Sequence, residues 1–246
     1  MEKQFDGKRA LVTGAGKGIG RDVAKELVKC GAVTYALSRT QSDLDSLKEE
    51  VPDIHTIAVD LADWDATQKA VESIGPIDLL VNNAGINIPE PMLEIKKESY
   101  DSIMNINVRS CIQVSQIVAK TMVSRKCGGA IVNLSSQASM IALTNHAVYS
   151  ASKASIDAIT KNMAFELGPH KIRCNAVNPT VVLTELGKRS WSAPERSGPL
   201  INRIPLRKFA EVEDVVNAVI FLLSDKAAMI SGTCLPVDGG FLIAGV

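Results

Sequence analysis

Seven short runs of aliphatic and β-branched residues recur along the chain, and longer segments with apolar residues at i, i+3 and i+4 separate them. The runs are "RALVTG", "VTYALS", "HTIAVD", "DLLVNNA", "AIVNLSS", "IRCNAVNP" and "TCLPVDGG"; "RDVAKELVKCG" and "VEDVVNAVIFLLSD" show the helical period. Continuous apolar strands alternating with helices predict a parallel sheet buried on both faces. No repeat of fixed period, low-complexity tract or Pro/Ser-rich linker divides the 246 residues. The expected class is α/β: one doubly wound Rossmann-type domain over residues 1–246, with a seven-stranded parallel sheet and helices on both faces. One segment breaks the alternation, "TELGKRSWSAPERSGPLINRIP", from Thr184 to Pro205. It leaves a strand at the carboxyl edge of the sheet, where such folds bind ligands, so a substrate flap is expected at about 184–205, with an ordinary surface excursion as the plainer alternative.

Lys plus Arg and Asp plus Glu both number 27. That balance gives no field favouring nucleic acid or an anionic membrane, and a small-molecule partner is expected. Cys30, Cys111, Cys127, Cys174 and Cys234 are odd in number and never form C-x-x-C. A disulfide framework and a zinc site are both disfavoured, no metal is expected, and most of these thiols should behave as small buried hydrophobes. "MEKQFDGKRALV" lacks the apolar centre of a signal peptide, and no run reaches about 18 apolar residues. The expectation is a cytoplasmic protein with no integral membrane span.

"LVTGAGKGIGR" follows the first strand and opens the first helix, with Gly14, Gly18 and Gly20 spaced G-x-x-x-G-x-G and Gly16 between them. A turn without Cβ atoms lets backbone N–H groups and a helix N-terminus approach a pyrophosphate, so Gly14, Lys17, Gly18, Ile19 and Gly20 are cofactor candidates. After the second strand an NAD site usually carries an acid, about 20 residues beyond the glycines. Here Ser38, Arg39 and Thr40 stand there, and Asp43 lies further into the next helix. A guanidinium and two hydroxyls suit a 2′-phosphate, with Lys17 as a second cation, so NADP(H) is expected. Asp60 and Leu61 follow the third strand; Asp60 suits either the adenine amino group or a helix N-cap. Asn82 and then Asn83, Ala84 and Gly85 end the fourth strand, where short side chains let the backbone pass close to a ligand.

The fifth strand ends in Ser135 and Ser136 without an obvious histidine or acid partner, which argues against a hydrolase triad. Tyr149 and Lys153 then share a helix face at i and i+4. A phenol with pKa about 10 is a poor acid at neutral pH unless a cation stabilises the phenolate. Lys153 supplies that field, Ser136 can hold a carbonyl oxygen, and Tyr149 can pass it a proton during hydride transfer.

Glycine loop, "NNAG", Ser136 and Y-S-A-S-K together resemble the short-chain dehydrogenase/reductase family along the whole chain. The resemblance places the family's catalytic asparagine on Asn107 in "NINV", kinking a helix and holding a water in a relay from Lys153; a mere cap or kink residue is the structural alternative. It also places Pro179, Val182 and Thr184 around the nicotinamide carboxamide, and implies a homotetramer with helices flanking Asn107 and Tyr149 at one interface. Likeness to one branch of the family runs through "SRTQSDLDSL", "NHAVYSASK", "ELGPHKIRCNAVNPTVV" and "RIPLRKFAEVEDVVNA". It implies NADPH-dependent reduction of L-xylulose to xylitol and of α-dicarbonyls such as diacetyl. Gln137, Leu143, Asn145, His146 and Trp191 then join Ser136 and Tyr149 as substrate candidates. The alternatives are a reductase of a 3-oxoacyl thioester or steroid, and an NADP(H)-binding sensor or scaffold. The apolar tail "FLIAGV" is expected to dock within the subunit or against a neighbour.

Overall fold

The computed structural model describes residues 3–184 and 193–244, apart from the side chain of Arg196. All seven apolar runs form strands: β1 (Arg9–Thr13), β2 (Val33–Ser38), β3 (His55–Ala58), β4 (Leu79–Asn82), β5 (Gly129–Leu134), β6 (Ile172–Pro179) and β7 (Cys234–Val237). They pair in parallel in the order β3-β2-β1-β4-β5-β6-β7. The helices are α1 (Gly18–Lys29), α2 (Gln41–Glu50), α3 (Trp64–Ile74), α4 (Lys97–Met104), α5 (Ser110–Arg125), α6 (Ala147–Leu167), α7 (Pro194–Ile201) and α8 (Val212–Leu223).

The two-residue period of the strands sorts the core into two layers. Ala10, Val12, Leu79, Val81, Ala130 and Val132 face one way and pack with Val23 and Leu27 of α1, Leu44 of α2 and Val215 and Val219 of α8. Leu11, Leu80 and Ile131 face the other way and meet Val71 of α3 and Val114, Val118 and Met122 of α5. Leu11, Leu80 and Ile131 have no exposed surface, and each such burial contributes about 1.5–3 kcal/mol. Both edges of the sheet are short strands, and β7 carries Pro236, which has no N–H to offer a further strand.

From β1 the chain builds outward to β3, then returns so that β4 pairs with β1 on its other side. The connections that leave β1 and β4 therefore run to opposite halves of the sheet, the switch point at which open α/β sheets bind ligands. A third, smaller cluster of Ile204, Phe209 and Phe241 lies beyond it, with Ile141, Leu183, Leu200 and Ile201 packed against it. Phe241 is 5% exposed there, while Ile243 of the same tail is 87% exposed and residues 245–246 lie outside the described residues.

Part of the segment read as an irregular flap is helical: α7 starts on Pro194, whose fixed φ suits a first turn, and Leu200 and Ile201 anchor its end in the third cluster. Residues 185–192 of that segment lie outside the described residues. No helix among the described residues is long and apolar enough to cross a membrane.

Candidate active site

The glycine loop leaves β1 at Gly14, where φ is +65°, and enters α1 at Gly18, where φ is +56°; both values favour glycine. A Cβ on Gly14 would sit 2.8 Å from the Ala84 Cα, and one on Gly20 would collide with the Asn83 amide. Those two glycines let the loop lie against the end of β4. Asn83 fastens it there, donating from Nδ2 to the carbonyls of Thr13 and Gly14 at 3.0 Å each. The Thr13 hydroxyl accepts the backbone N–H groups of Asn83 and Ala84 at 3.1 and 3.2 Å. The side chain of Asn83 is thus committed to the protein, and the neighbouring Asn82 is buried, donating to Ser115 Oγ and Asn133 Oδ1 at 2.8 Å each. No side chain caps α1 and no acid lies in its first turn. Its leading N–H groups are left for an anion, and a pyrophosphate fits them. Ile19 stands in that first turn, partly buried against the sheet.

At the end of β2, Ser38 is half-buried while Arg39 and Thr40 are exposed. Arg39 makes no ion pair among the described residues. Lys17 does: its Nζ lies 3.2 Å from Asp43 Oδ1. Asp43 stands in the first turn of α2, and that places it beside the glycine loop. A Cβ on Gly16 would meet Ser38 Oγ at 2.7 Å and Asp43 Cβ at 3.0 Å. Asp60 resolves one alternative. Its Oδ1 accepts from Ala62 N at 2.9 Å, while Asp63 caps α3 by accepting from Ala66 N at 2.9 Å. Leu61 points its side chain into the core, at 6% exposure.

The chemical end gathers β5, α6 and the junction of α4 with α5. Ser135 is buried, its hydroxyl donating to the Lys153 carbonyl at 3.1 Å. Ser136 is half-buried and caps a short 3-10 turn, its Oγ accepting from Ala138 N at 3.1 Å. Its hydroxyl proton stays uncommitted among the described residues. Tyr149, half-buried, and Lys153, 5% exposed, lie one turn apart on α6. The Lys153 ammonium donates to the Leu134 carbonyl at 2.7 Å and sits 5.6 Å from the centre of the Tyr149 ring. A buried ammonium has three donors to satisfy, and this carbonyl takes one.

Asn107 sits in a π-helical turn, Asn105–Arg109, that joins α4 to α5. It is 2% exposed. Its Oδ1 accepts from Ile86 N at 2.8 Å, and its Nδ2 donates to Ile86 O at 2.9 Å and Ser152 Oγ at 3.0 Å. A Cβ on Gly85 would lie 3.4 Å from both Asn107 Oδ1 and Lys153 Nζ. The glycine therefore brings the two side chains to one place.

The residues expected to meet a substrate are held more loosely. Gln137 is 4% exposed with no partner for Oε1 among the described residues. Leu143 and His146 are half-buried; the His146 Nδ1 lies 2.5 Å from the Thr144 carbonyl, and its ring meets that of Tyr149 edge-on at 6.2 Å. Asn145 is exposed at φ +63°, and its carbonyl accepts from Glu90 N at 2.9 Å. Pro179 ends β6, Val182 bridges to Ala210, and a Cβ on Gly18 would lie 3.3 Å from the Thr184 methyl. Trp191 lies outside the described residues.

Two residues of the site escaped the sequence reading. Glu90 accepts from Ser99 Oγ at 2.9 Å and Lys96 N at 3.2 Å, so its carboxylate holds the start of α4 while its N–H holds Asn145. Asn178 of β6 donates to both oxygens of Asp157 at 3.1 Å, to Ser139 Oγ at 3.0 Å and to the Ser136 carbonyl at 3.2 Å, joining the Ser136 loop to α6. The spacing of Asp157 four residues beyond Lys153 was a usable signal, since it puts a carboxylate on the same helix face. Burial pushes the Cys111 and Cys174 thiols up to about 12 and Cys234 up to about 11, so none of these supplies a thiolate at neutral pH. Among the described residues no group of three or more His, Cys, Asp or Glu could hold a metal.

Residues 14–242 match the sequence family described as enoyl-(acyl carrier protein) reductase. The chain is 57% identical over 243 residues to an L-xylulose reductase of Mesocricetus auratus, covering 99% of this chain and 100% of the relative. It is 57% identical to a D-erythrulose reductase of Gallus gallus over 98% of each chain. Among solved structures, a gluconate 5-dehydrogenase from Burkholderia cenocepacia in complex with NADP and tartrate is similar, with a TM-score of 0.93 and 30% identity over 99% of this chain and 98% of that one.

Proposed function

Since this chain belongs to the short-chain dehydrogenase/reductase family, we propose that it is an NADP(H)-dependent carbonyl reductase that converts L-xylulose to xylitol and reduces small α-dicarbonyls such as diacetyl. The observation that carries the reading is the full-length 57% identity to reductases named for two different ketoses. A ketose carbonyl has an oxygen on the adjacent carbon, and so has an α-dicarbonyl; one pocket can accept both. Gly14, Lys17, Gly18, Ile19, Gly20, Ser38, Arg39 and Thr40 would hold the pyrophosphate and 2′-phosphate ends of the cofactor. Asp60, Leu61, Asn83, Ala84, Gly85, Pro179, Val182 and Thr184 would line the rest. When bound, the reduced nicotinamide supplies the hydride.

The chain's own side chains do the acid–base work. Ser136 Oγ donates to the carbonyl oxygen and fixes its position. Tyr149 donates the proton that the developing alkoxide needs. The Lys153 ammonium, held at the Leu134 carbonyl, lowers the cost of the phenolate left behind. Asn107 holds the Ile86 backbone on both its N–H and its C=O, keeping the segment after β4 beside Lys153. Gln137 Oε1, without a partner, is the acceptor best placed for a sugar hydroxyl.

The reading includes a homotetramer, supported by the exposed apolar side chains of Trp64, Tyr100 and Ile112 on α3, α4 and α5. It places the protein in the cytoplasm, supported by cysteines that stay unpaired within the chain. NADPH absorbance with L-xylulose, diacetyl and an acetoacetyl thioester tests the function, with Tyr149→Phe as control. Turnover of the first two, lowered about 10²–10⁴-fold in the variant, is expected; thioester turnover alone would move the substrate to acyl chains.

A further inference from the structure

Beside the glycine loop, the Asp43 carboxylate is paired with one of the two cations expected to meet a 2′-phosphate. Arg39 and Lys17 are the cations there, yet only Arg39 is free of an ion pair among the described residues. Lys17 is bound to Asp43 at 3.2 Å. The two partners are held unequally. Asp43 has 19% of its side chain exposed, and its Cβ packs under Gly16 beside Ser38. Its carbonyl also accepts from Arg21 at 3.1 Å, and the same guanidinium reaches the Gly16 carbonyl at 3.2 Å and Glu50 at 2.9 Å. Lys17 has 76% of its side chain exposed. The carboxylate is thus a fixture of the glycine loop, and the ammonium is the movable member.

Resting on the NADP(H) reading above, we propose that Asp43 is a specificity-determining residue that holds down the affinity for NADP(H), because its carboxylate competes with the cofactor's 2′-phosphate for Lys17. A 2′-phosphate needs charge-assisted contacts from both cations, and the Lys17 contact must be taken from Asp43. A cofactor with a free 2′-hydroxyl makes no such demand. The competition therefore acts on the phosphorylated cofactor and leaves the other alone. It favours a cofactor that leaves after each turnover over one that stays.

A double-mutant cycle on binding tests this, read by fluorescence titration with NADPH and NADH for the intact protein, Asp43→Asn, Lys17→Met and the double variant. Asp43→Asn should tighten NADPH by about two- to fivefold, the range of an exposed ion pair, and leave NADH within twofold. The gain should vanish when Lys17 is already Met. Unchanged or weaker NADPH binding in Asp43→Asn would overturn the proposal, and so would an equal gain in both backgrounds. The NADH titration confirms that each variant keeps its binding fold. If the unaltered protein shows no preference for NADPH over NADH, the cofactor reading fails and takes this proposal with it.

Discussion

Asn145 stands four residues before Tyr149 and Lys153 four residues after it, yet the two are held in opposite ways. Lys153 is buried on α6, its ammonium tied to β5 and its carbonyl to Ser135. Asn107, across the site, is tied by three hydrogen bonds to two other segments. Asn145 is exposed in a left-handed conformation, and its carbonyl meets the N–H of Glu90. The floor of the cleft can move only with the sheet and α6; the rim can move without either. Proton transfer needs the first kind of construction, since small misplacements are costly there, while fitting a substrate tolerates the second.

The sharpest way to break the comparison is at the floor. Lys153→Met keeps the length and burial of the side chain and removes its charge. Activity should fall by about 10²–10⁴-fold, while the melting temperature stays level or rises, because a buried charge is exchanged for apolar packing. A parallel loss of stability would show that the ammonium holds the fold. At the rim, Glu90→Ala frees the start of α4 and slackens the loop carrying Asn145 and His146. The expected outcome is a KM for the sugar raised by about three- to tenfold, an effect of roughly 1 kcal/mol, with kcat within twofold; Glu90→Gln, which keeps one acceptor, should recover part of it. A fall in kcat of the same size would place Glu90 with the floor. A separate effect, on stability and not on activity, is in the pH dependence. Burial raises Cys111 and Cys174 from 9.0 to about 12, so the folded chain keeps these protons after the unfolded chain has lost them. Their contribution is full below pH 9 and is lost as the pH rises towards 12. Urea unfolding between pH 8 and about 10.5 should show a shallower decline in the Cys111→Ala/Cys174→Ala double variant; equal slopes would mean that the interior beneath the site is wetter than its packing implies.

The same division explains what the sequence made legible. The strands could be read because each is a continuous apolar run, and both layers of the core follow from their alternation. Tyr149 and Lys153 could be paired because helical spacing is a local rule. The glycine loop was visible as a spacing, but that Gly14 and Gly20 answer to Ala84 and Asn83 is a tertiary fact. Asn107 was reached through family resemblance, since "NINV" carries no sign of a π turn. That Asp43 packs beside Gly16 and pairs with Lys17 is likewise a tertiary fact, since position along α2 says nothing about where α2 lies against the glycine loop. Glu90 had no local signal, as its partners Ser99 and Asn145 come from different segments. In 184–205, prolines and glycines hid a helix whose anchor is the third cluster.

The π turn has one more consequence. From Lys97 to Arg125 the chain is a continuous helical rod, and at its π turn Ser110 N reaches back five residues to the Asn105 carbonyl. A wide turn of this kind absorbs one residue more than a regular helix holds. Remove that residue and the rod closes into an ordinary repeat, with its faces before and after the turn pointing as they do now. The wide turn that carries the asparagine pinning Ile86 is therefore supernumerary to the rod around it. On the proposed mechanism, a chain with Asn107 deleted should keep its circular dichroism and lose its turnover, so that a single lost codon would spare the helix and erase the function.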